Sequence, residues 1–283
     1  MSNSLQTAAL VPLLGHRDPM LPLAWRSGRL VSVAEFLGDV EALAQRLPAH
    51  THTINLCRDR YCFAVGLAAA MMRNQISLCP ASQAAQSLKE LEREYQSVYL
   101  LLDDGQTCDL ESVCISTGNA RSQRAPDSLA FDPANIAAIT FTSGSTGKPV
   151  ASPKTWGALA RGGTIEAAHF GLSNDGPIVL VGTVPPQHMF GLESTVMMAL
   201  RGGLIMHGER PFFPADVAAA LGAVEAGRVL VTTPVHLRTL LASGIDLPAL
   251  RLVISATAPL PVDTAREFEN RYQVTVREVY GFT

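Results

Sequence analysis

The chain has 283 residues, enough to bury a sizeable core in one or two domains. Its apolar fraction of 47% and charged fraction of 17% exclude a disordered chain. A net charge of −3 with no basic stripe argues against nucleic-acid binding. The five cysteines are Cys57, Cys62, Cys79, Cys108 and Cys114. Their number is odd and none forms a Cys-x-x-Cys pair, so reduced thiols in a cytoplasmic protein are expected. Met1 to Leu10 has no basic residue ahead of its short apolar run, which does not read as a signal peptide. The longest near-apolar run, Phe63 to Met72, is too short to span a bilayer.

In chain order, Ser32 and Glu35 form a capping box. Val33, Phe36, Leu37, Val40, Leu43, Ala44 and Leu47 follow at helical spacing, and Pro48 ends the run. Thr53–Cys57 reads as a strand, Tyr61–Met72 as a buried, almost wholly apolar helix, and Ile76–Cys79 as a short strand. Ser82–Tyr95 reads as a surface helix and Val98–Leu102 as a strand. Asp103–Pro133 is polar and holds Gly105, Gly118, Pro126 and Pro133. It reads as a boundary loop with a short strand near Val113–Ile115, dividing the chain into units 1–133 and 134–283. Ile136–Phe141 is a β-branched, buried-strand run. Thr155–Phe170 reads as a helix weakened by Gly162 and Gly163. The strands Ile178–Thr183, Leu204–Met206, Val229–Thr233, Arg251–Ser255 and Val274–Val279 then alternate with the helices Gly191–Leu200, Pro214–Ala226, Pro234–Leu241 and Pro261–Tyr272. Such alternation predicts a layered α/β fold with parallel strands and crossover helices.

The most telling stretch runs from Thr140 to Val150. Thr142, Ser143, Gly144, Ser145, Thr146 and Gly147 are small, four of them carry hydroxyls, and Lys148 adds a positive charge. Small residues let successive backbone N–H groups approach an anion, and glycines permit the angles such a nest needs. A polar linker would also read this way. A kinase-type phosphate loop would need Gly, four residues and Gly-Lys-Ser/Thr, but Pro149 follows Lys148 and Thr142 occupies the first position.

Three further segments each follow a predicted strand, where α/β sheets place ligands. Pro185-Pro186-Gln187-His188-Met189-Phe190-Gly191 puts a histidine at such a strand end. Ser255-Ala256-Thr257-Ala258-Pro259-Leu260-Pro261 is rich in small residues, and Tyr280-Gly281-Phe282-Thr283 carries an exposed aromatic. Taken singly, each is an ordinary turn.

Together the four segments resemble those of the adenylate-forming (AMP-binding) enzymes in order and rough spacing, across Thr142 to Thr283. The family's phosphate loop, Thr-Ser-Gly-Ser/Thr-Thr-Gly-x-Pro-Lys-Gly, matches from Thr142 to Pro149. Val150-Ala151 then stand in place of Lys-Gly, with Lys154 a few residues on. The family's Pro-x-x-His-x-x-Gly, Ser-Gly-Gly-Ala-Pro-Leu and Tyr-Gly-x-Thr-Glu segments have counterparts here, with Ala256 and Thr257 replacing two glycines. Finer wording, Lys154-Thr155-Trp156-Gly157 and Val184 to Glu193, resembles the acid:acyl carrier protein ligases of aryl-polyene (xanthomonadin-type) pigment pathways.

The resemblance implies ATP-dependent activation of a hydroxybenzoate-like acid and its transfer to phosphopantetheine on an acyl carrier protein. An acyl-CoA synthetase or a non-catalytic acid- or carrier-binding module is the alternative. It further implies that Thr142 to Lys148 hold the β- and γ-phosphates, that Thr257, Ala258 and Tyr280 hold adenine, and that Thr283 touches the α-phosphate. His188, Phe190, Gly191 and Ser194 fall on the acid pocket. The family's Mg²⁺-binding Glu, ribose-binding Asp, hinge and C-terminal Lys have no counterpart in these 283 residues. The resemblance therefore implies an N-terminal portion, ending before a β-barrel subdomain and a mobile C-terminal domain, with no certain catalytic residue or metal ligand of its own and little turnover alone.

Overall fold

The computed structural model describes residues 9–281 other than 104, 107, 109, 119–120, 144–148 and 174–175. Of residues 142, 143 and 149 it describes the backbone alone. The chain opens with β1 (Val11–Pro12) and a hairpin of β2 (Pro22–Arg26) and β3 (Arg29–Ser32). Ser27 and Gly28 turn the hairpin with φ of 51° and 76°. Two successive positive φ angles mark the hairpin turn whose twist matches that of its strands. Helix α1 (Val33–Arg46) starts on the expected capping box: the Ser32 hydroxyl accepts from Glu35 N at 3.3 Å, and Glu35 Oε2 accepts from Ser32 N at 2.8 Å.

β4 (His52–Asn55), α2 (Arg60–Met72), β5 (Ile76–Cys79), α3 (Ala85–Tyr95), β6 (Val98–Leu102) and β7 (Ser112–Cys114) follow, then β8 (Ala130–Phe131), which pairs with β1. The polar segment after β6 contributes one early anchor. Asp103 Oδ2 accepts from the backbone N–H groups of Arg58 and Asp59, each at 2.6 Å, just ahead of α2. β9 (Ile136–Ser143) and β10 (Pro149–Thr155) pair antiparallel and lead into α4 (Trp156–His169).

The remainder is β11 (Ile178–Gly182), a short turn α5 (Met189–Gly191), a π-helical stretch (Leu192–Met197) and α6 (Met198–Gly202). After these come β12 (Ile205–His207), α7 (Pro214–Gly222), β13 (Gly227–Thr232), α8 (Pro234–Ser243), β14 (Leu252–Ser255), α9 (Val262–Tyr272) and β15 (Val276–Glu278).

Among the described residues the strands form two large mixed sheets and the small β1–β8 pair. The first sheet runs β10-β9-β5-β4-β6-β7 and the second β15-β14-β13-β11-β12-β2-β3. Apart from β9–β10 in the first and β2–β3 in the second, all neighbours are parallel. This is the layered α/β fold expected from the alternation. The sheets are interleaved along the chain, so one cut at 133/134 does not separate them: β2 and β3 join the second sheet, while β9 and β10 belong to the first. One apolar cluster runs through both units, from Phe36 and Phe63 to Trp156, Leu180 and Met197. Helix α2 is buried from Arg60 to Met71, as an apolar helix without a polar face must be.

Candidate active site

The site is built around the loop after β11. Arg60, on the first turn of α2, is fully buried beneath it. Its five N–H donors are matched by five hydrogen bonds. Nε donates to Thr195 Oγ1 at 2.8 Å. Nη1 donates to the carbonyls of His207 at 2.7 Å and Glu209 at 3.1 Å, and Nη2 to those of Gly182 at 3.1 Å and Val184 at 3.0 Å. Burial lowers the Arg60 pKa to about 10, still charged at neutral pH. Thus one side chain from α2 gathers the ends of β11 and β12 of the second sheet. Gln187 adds a second tie, donating from Nε2 to Asn55 O at 3.2 Å at the end of β4 and to Cys57 O at 2.7 Å just beyond it.

Gly191 explains the last position of the Pro-x-x-His-x-x-Gly pattern. A Cβ there would lie 2.0 Å from the Pro185 carbonyl oxygen, so only hydrogen lets α5 close on the loop. His188 caps α5, and its Nδ1 accepts from Phe190 N at 3.3 Å. In the neutral ring this leaves the proton on Nε2. The ring is exposed toward the clefts, yet partial desolvation still lowers its pKa below the ordinary imidazole value.

Two clefts meet at this loop, sharing His188 and Met189 as a wall. The first, of about 580 Å³, is lined by α4, the π-helical stretch, the segment Ala256–Pro259 and the residues Arg277–Gly281. The second, of about 790 Å³, is lined by Thr140 and Phe141 of β9, Pro80, Ala81 and Gln83 after β5, Pro185 to Met189, and the basic residues Arg58 and Arg210.

One wall of the first cleft depends on a close helix crossing. A Cβ at Gly163 would lie 2.4 Å from Met197 O, so the glycine expected to weaken α4 is what lets α4 meet the π-helical stretch. At this crossing buried Ser194 donates to Glu166 Oε1 at 2.5 Å. Burial raises Glu166 above its ordinary 4.5 to about 7, the Ser194 bond opposes that rise, and the charge of nearby Glu193 adds to it. Glu193 is itself raised by burial and drawn back by Lys154 of β10. Lys154, expected near the phosphate loop, therefore exerts its field on this wall.

The opposite end carries the segment after β14. Thr257 adopts φ of 81°, a left-handed angle that a β-branched residue rarely takes and a glycine takes freely. Thr257 and Ala258 are exposed at the cleft, and Tyr280 is 82% exposed beside them.

The structure thus brings His188, Phe190, Ser194, Thr257, Ala258 and Tyr280 into one cleft. Gly191 shapes the loop rather than lining it. Thr142 and Ser143 end β9, directly after Thr140 and Phe141, which share the second cleft with His188. Gly144, Ser145, Thr146, Gly147 and Lys148 lie outside the described residues, as does Thr283. Arg60, Gln187 and Glu166 were not singled out from the sequence. An arginine opening an apolar helix is the one signal that could have singled out Arg60. A lone glutamate on a helix gives none. Among the described residues no group of three or more His, Cys, Asp and Glu could hold a metal ion. No helix among them is long and apolar enough to cross a membrane.

Residues 43–283 match the family described as AMP-binding enzyme. The chain is 33% identical over 135 residues to a 4-coumarate–CoA ligase of Rhodobacter capsulatus, covering 48% of this chain and 34% of the relative. It is 32% identical over 153 residues to an indoleacetate–CoA ligase of Aromatoleum aromaticum, covering 51% and 28%. The matched stretch is thus about a third of each relative. The fold resembles ATP-bound MatB from Rhodopseudomonas palustris, with TM-score 0.77, 19% identity, and 94% of this chain covering 57% of that one. It also resembles AMP-bound O-succinylbenzoate Coenzyme A synthetase (MenE) from Bacillus subtilis, with TM-score 0.70, 16% identity, and 94% covering 71%.

Proposed function

The chain belongs to the AMP-binding enzyme family, and from that premise we propose that it activates an aromatic carboxylic acid with ATP and passes the acyl group to a pantetheine thiol. In the first step the acid's carboxylate oxygen attacks the α-phosphorus of ATP. The bond to the β-phosphate breaks, and acyl-adenylate and pyrophosphate form. In the second step a thiolate sulfur attacks the acyl carbon and AMP leaves. The acid is of the hydroxybenzoate kind, and the thiol is carried by an acyl carrier protein or by CoA.

In this reading the acid lies in the first cleft against Phe190 and the α4 wall. Adenine lies along Thr257 and Ala258, beneath Tyr280. The stretch Thr142 to Lys148 takes the β- and γ-phosphates and Thr283 the α-phosphate. Positioning of the reacting groups and donors aimed at the phosphate oxygens supply the catalysis. His188, neutral with its proton on Nε2, offers a donor where the two clefts meet. The thiol then approaches through the second cleft, whose Arg58 and Arg210 suit an anionic arm. The observation that carries the reading is the placing of His188 and Met189 as a wall common to both clefts. The names of the relatives, ligases of 4-coumarate and indoleacetate, support an aromatic acid.

The test is calorimetric binding of a non-reactive aryl-adenylate mimic, hydroxybenzoyl-sulfamoyl-adenosine, beside AMP and hydroxybenzoate alone. Joining the halves should tighten binding at least a hundredfold over either half. Binding no tighter than that of the acid alone would leave an acid-binding module and overturn the reading. A long-chain fatty acyl mimic binding more tightly than the aryl one would overturn the substrate class.

A further inference from the structure

We propose that Glu166, held by Ser194, selects aromatic acids that carry a hydrogen-bond donor, a hydroxyl or an amino group, on the ring. This rests on the reading of the first cleft as the acid site. The cleft wall formed by α4, its C-terminal end and the adjoining α5 is apolar at Ile165, Phe170 and Phe190, so a ring can enter it. Within that wall the carboxyl of Glu166 has one side-chain partner among the described residues, Ser194 Oγ at 2.5 Å on Oε1. A carboxylate accepts through both oxygens, so capacity remains for a donor brought by the ligand.

Two features show that the pair is built in. Ser194 is almost completely buried and lies in the π-helical stretch, a rare local structure that recurs at functional sites. That stretch is pinned beneath by the bond from Arg60 to Thr195, the next residue, while Gly163 admits α4 against it. An unsubstituted ring would leave the carboxyl desolvated and short of a donor. A ring with a hydroxyl would supply one. Sites built around a polar group discriminate most strongly against ligands that lack its partner.

The charge on Glu166 sets how well it accepts. Glu193 of the π-helical stretch acts on it directly, with Lys154 acting through Glu193; the other titratable or charged groups lining the same cleft are His169 on its own helix and His188, Arg277, Glu278 and Tyr280. Its elevated pKa places the change from carboxylic acid to carboxylate near neutrality. Preference for a donor-bearing ring should therefore strengthen as pH rises through about 7.

The experiment compares benzoyl-, 3-hydroxybenzoyl-, 4-hydroxybenzoyl- and aminobenzoyl-sulfamoyl-adenosine by calorimetry at pH 6 and pH 8. At least one donor-bearing mimic should bind about tenfold or more tightly than the benzoyl mimic at pH 8, with a smaller ratio at pH 6. Glu166→Leu should bring the ratio to about one, and Ser194→Ala should shift its pH midpoint upward. Equal binding of all mimics by the unaltered protein would overturn this proposal and leave the acid-activation reading standing. A ratio retained in Glu166→Leu, checked as folded by its thermal transition, would also overturn it. Failure of every mimic to bind would sink both. The pH series on the unaltered protein decides the matter even if a variant fails to fold, since a ratio unchanged between pH 6 and 8 counts against Glu166.

Discussion

The Arg60 guanidinium donates through Nε to the Thr195 hydroxyl at 2.8 Å, across 135 residues of chain. This bond joins the first turn of α2 to the π-helical stretch that carries Ser194. The same guanidinium holds carbonyls at Gly182, Val184 and His207, so strand ends of the second sheet are referenced to α2.

Arg60→Met should destabilise the fold by roughly 3–5 kcal/mol, because it strands buried acceptors without the donors that now satisfy them. Urea unfolding would measure it. A double-mutant cycle with Thr195→Val should return a coupling energy of about 1–2 kcal/mol. A cost below about 1 kcal/mol for Arg60→Met would mean that the carbonyls find other partners.

Gly191→Ala should cost roughly 1–3 kcal/mol, the range for forcing extra volume into packed structure, because its Cβ would press on the Pro185 carbonyl oxygen. The loop carrying His188 has to move to make room. Weaker binding of the aryl-adenylate mimic should accompany the stability loss. Unchanged binding together with unchanged stability would contradict the close packing of α5 on this loop.

Thr257→Gly should stabilise the protein by roughly 1 kcal/mol, since it relieves a left-handed angle on a β-branched residue. Thermal unfolding would show a raised midpoint. If threonine is strained here to shape this wall of the first cleft, mimic affinity should fall in the same variant. A lowered midpoint would show that Thr257 makes compensating contacts.

Stability should depend on pH through Glu166. Its folded pKa of about 7 lies above the ordinary 4.5, so between these values the folded state keeps a proton that the unfolded chain releases. Its contribution is therefore fully present below pH 4.5 and is lost as pH rises through about 7. Compared with Glu166→Gln, the unaltered protein should lose up to about 3 kcal/mol over that window. Urea unfolding of both proteins at pH 4.5, 6 and 8 would test this. A constant difference across the series would place the Glu166 pKa at its ordinary value.

The sequence by itself determined what local chemistry controls. The Ser32–Glu35 capping box formed as expected, and the apolar α2 and the β-branched strands formed within about two residues of where spacing and residue type placed them. The segments around His188, Thr257 and Tyr280 were legible because strand ends followed by small or polar residues mark where α/β sheets bind ligands. Only the tertiary structure decided which strands share a sheet. The hairpin β2–β3 crosses to the second sheet, a pairing between distant segments that no local pattern encodes. Tertiary packing likewise turned Gly163 from a helix-weakening residue into a crossing point, and made a surface-type glutamate a half-buried partner of Ser194. Burial and hydrogen-bond partners arise when remote segments meet. Arg60 is therefore an ordinary basic residue in the linear sequence and the fixed reference of the site in the folded chain.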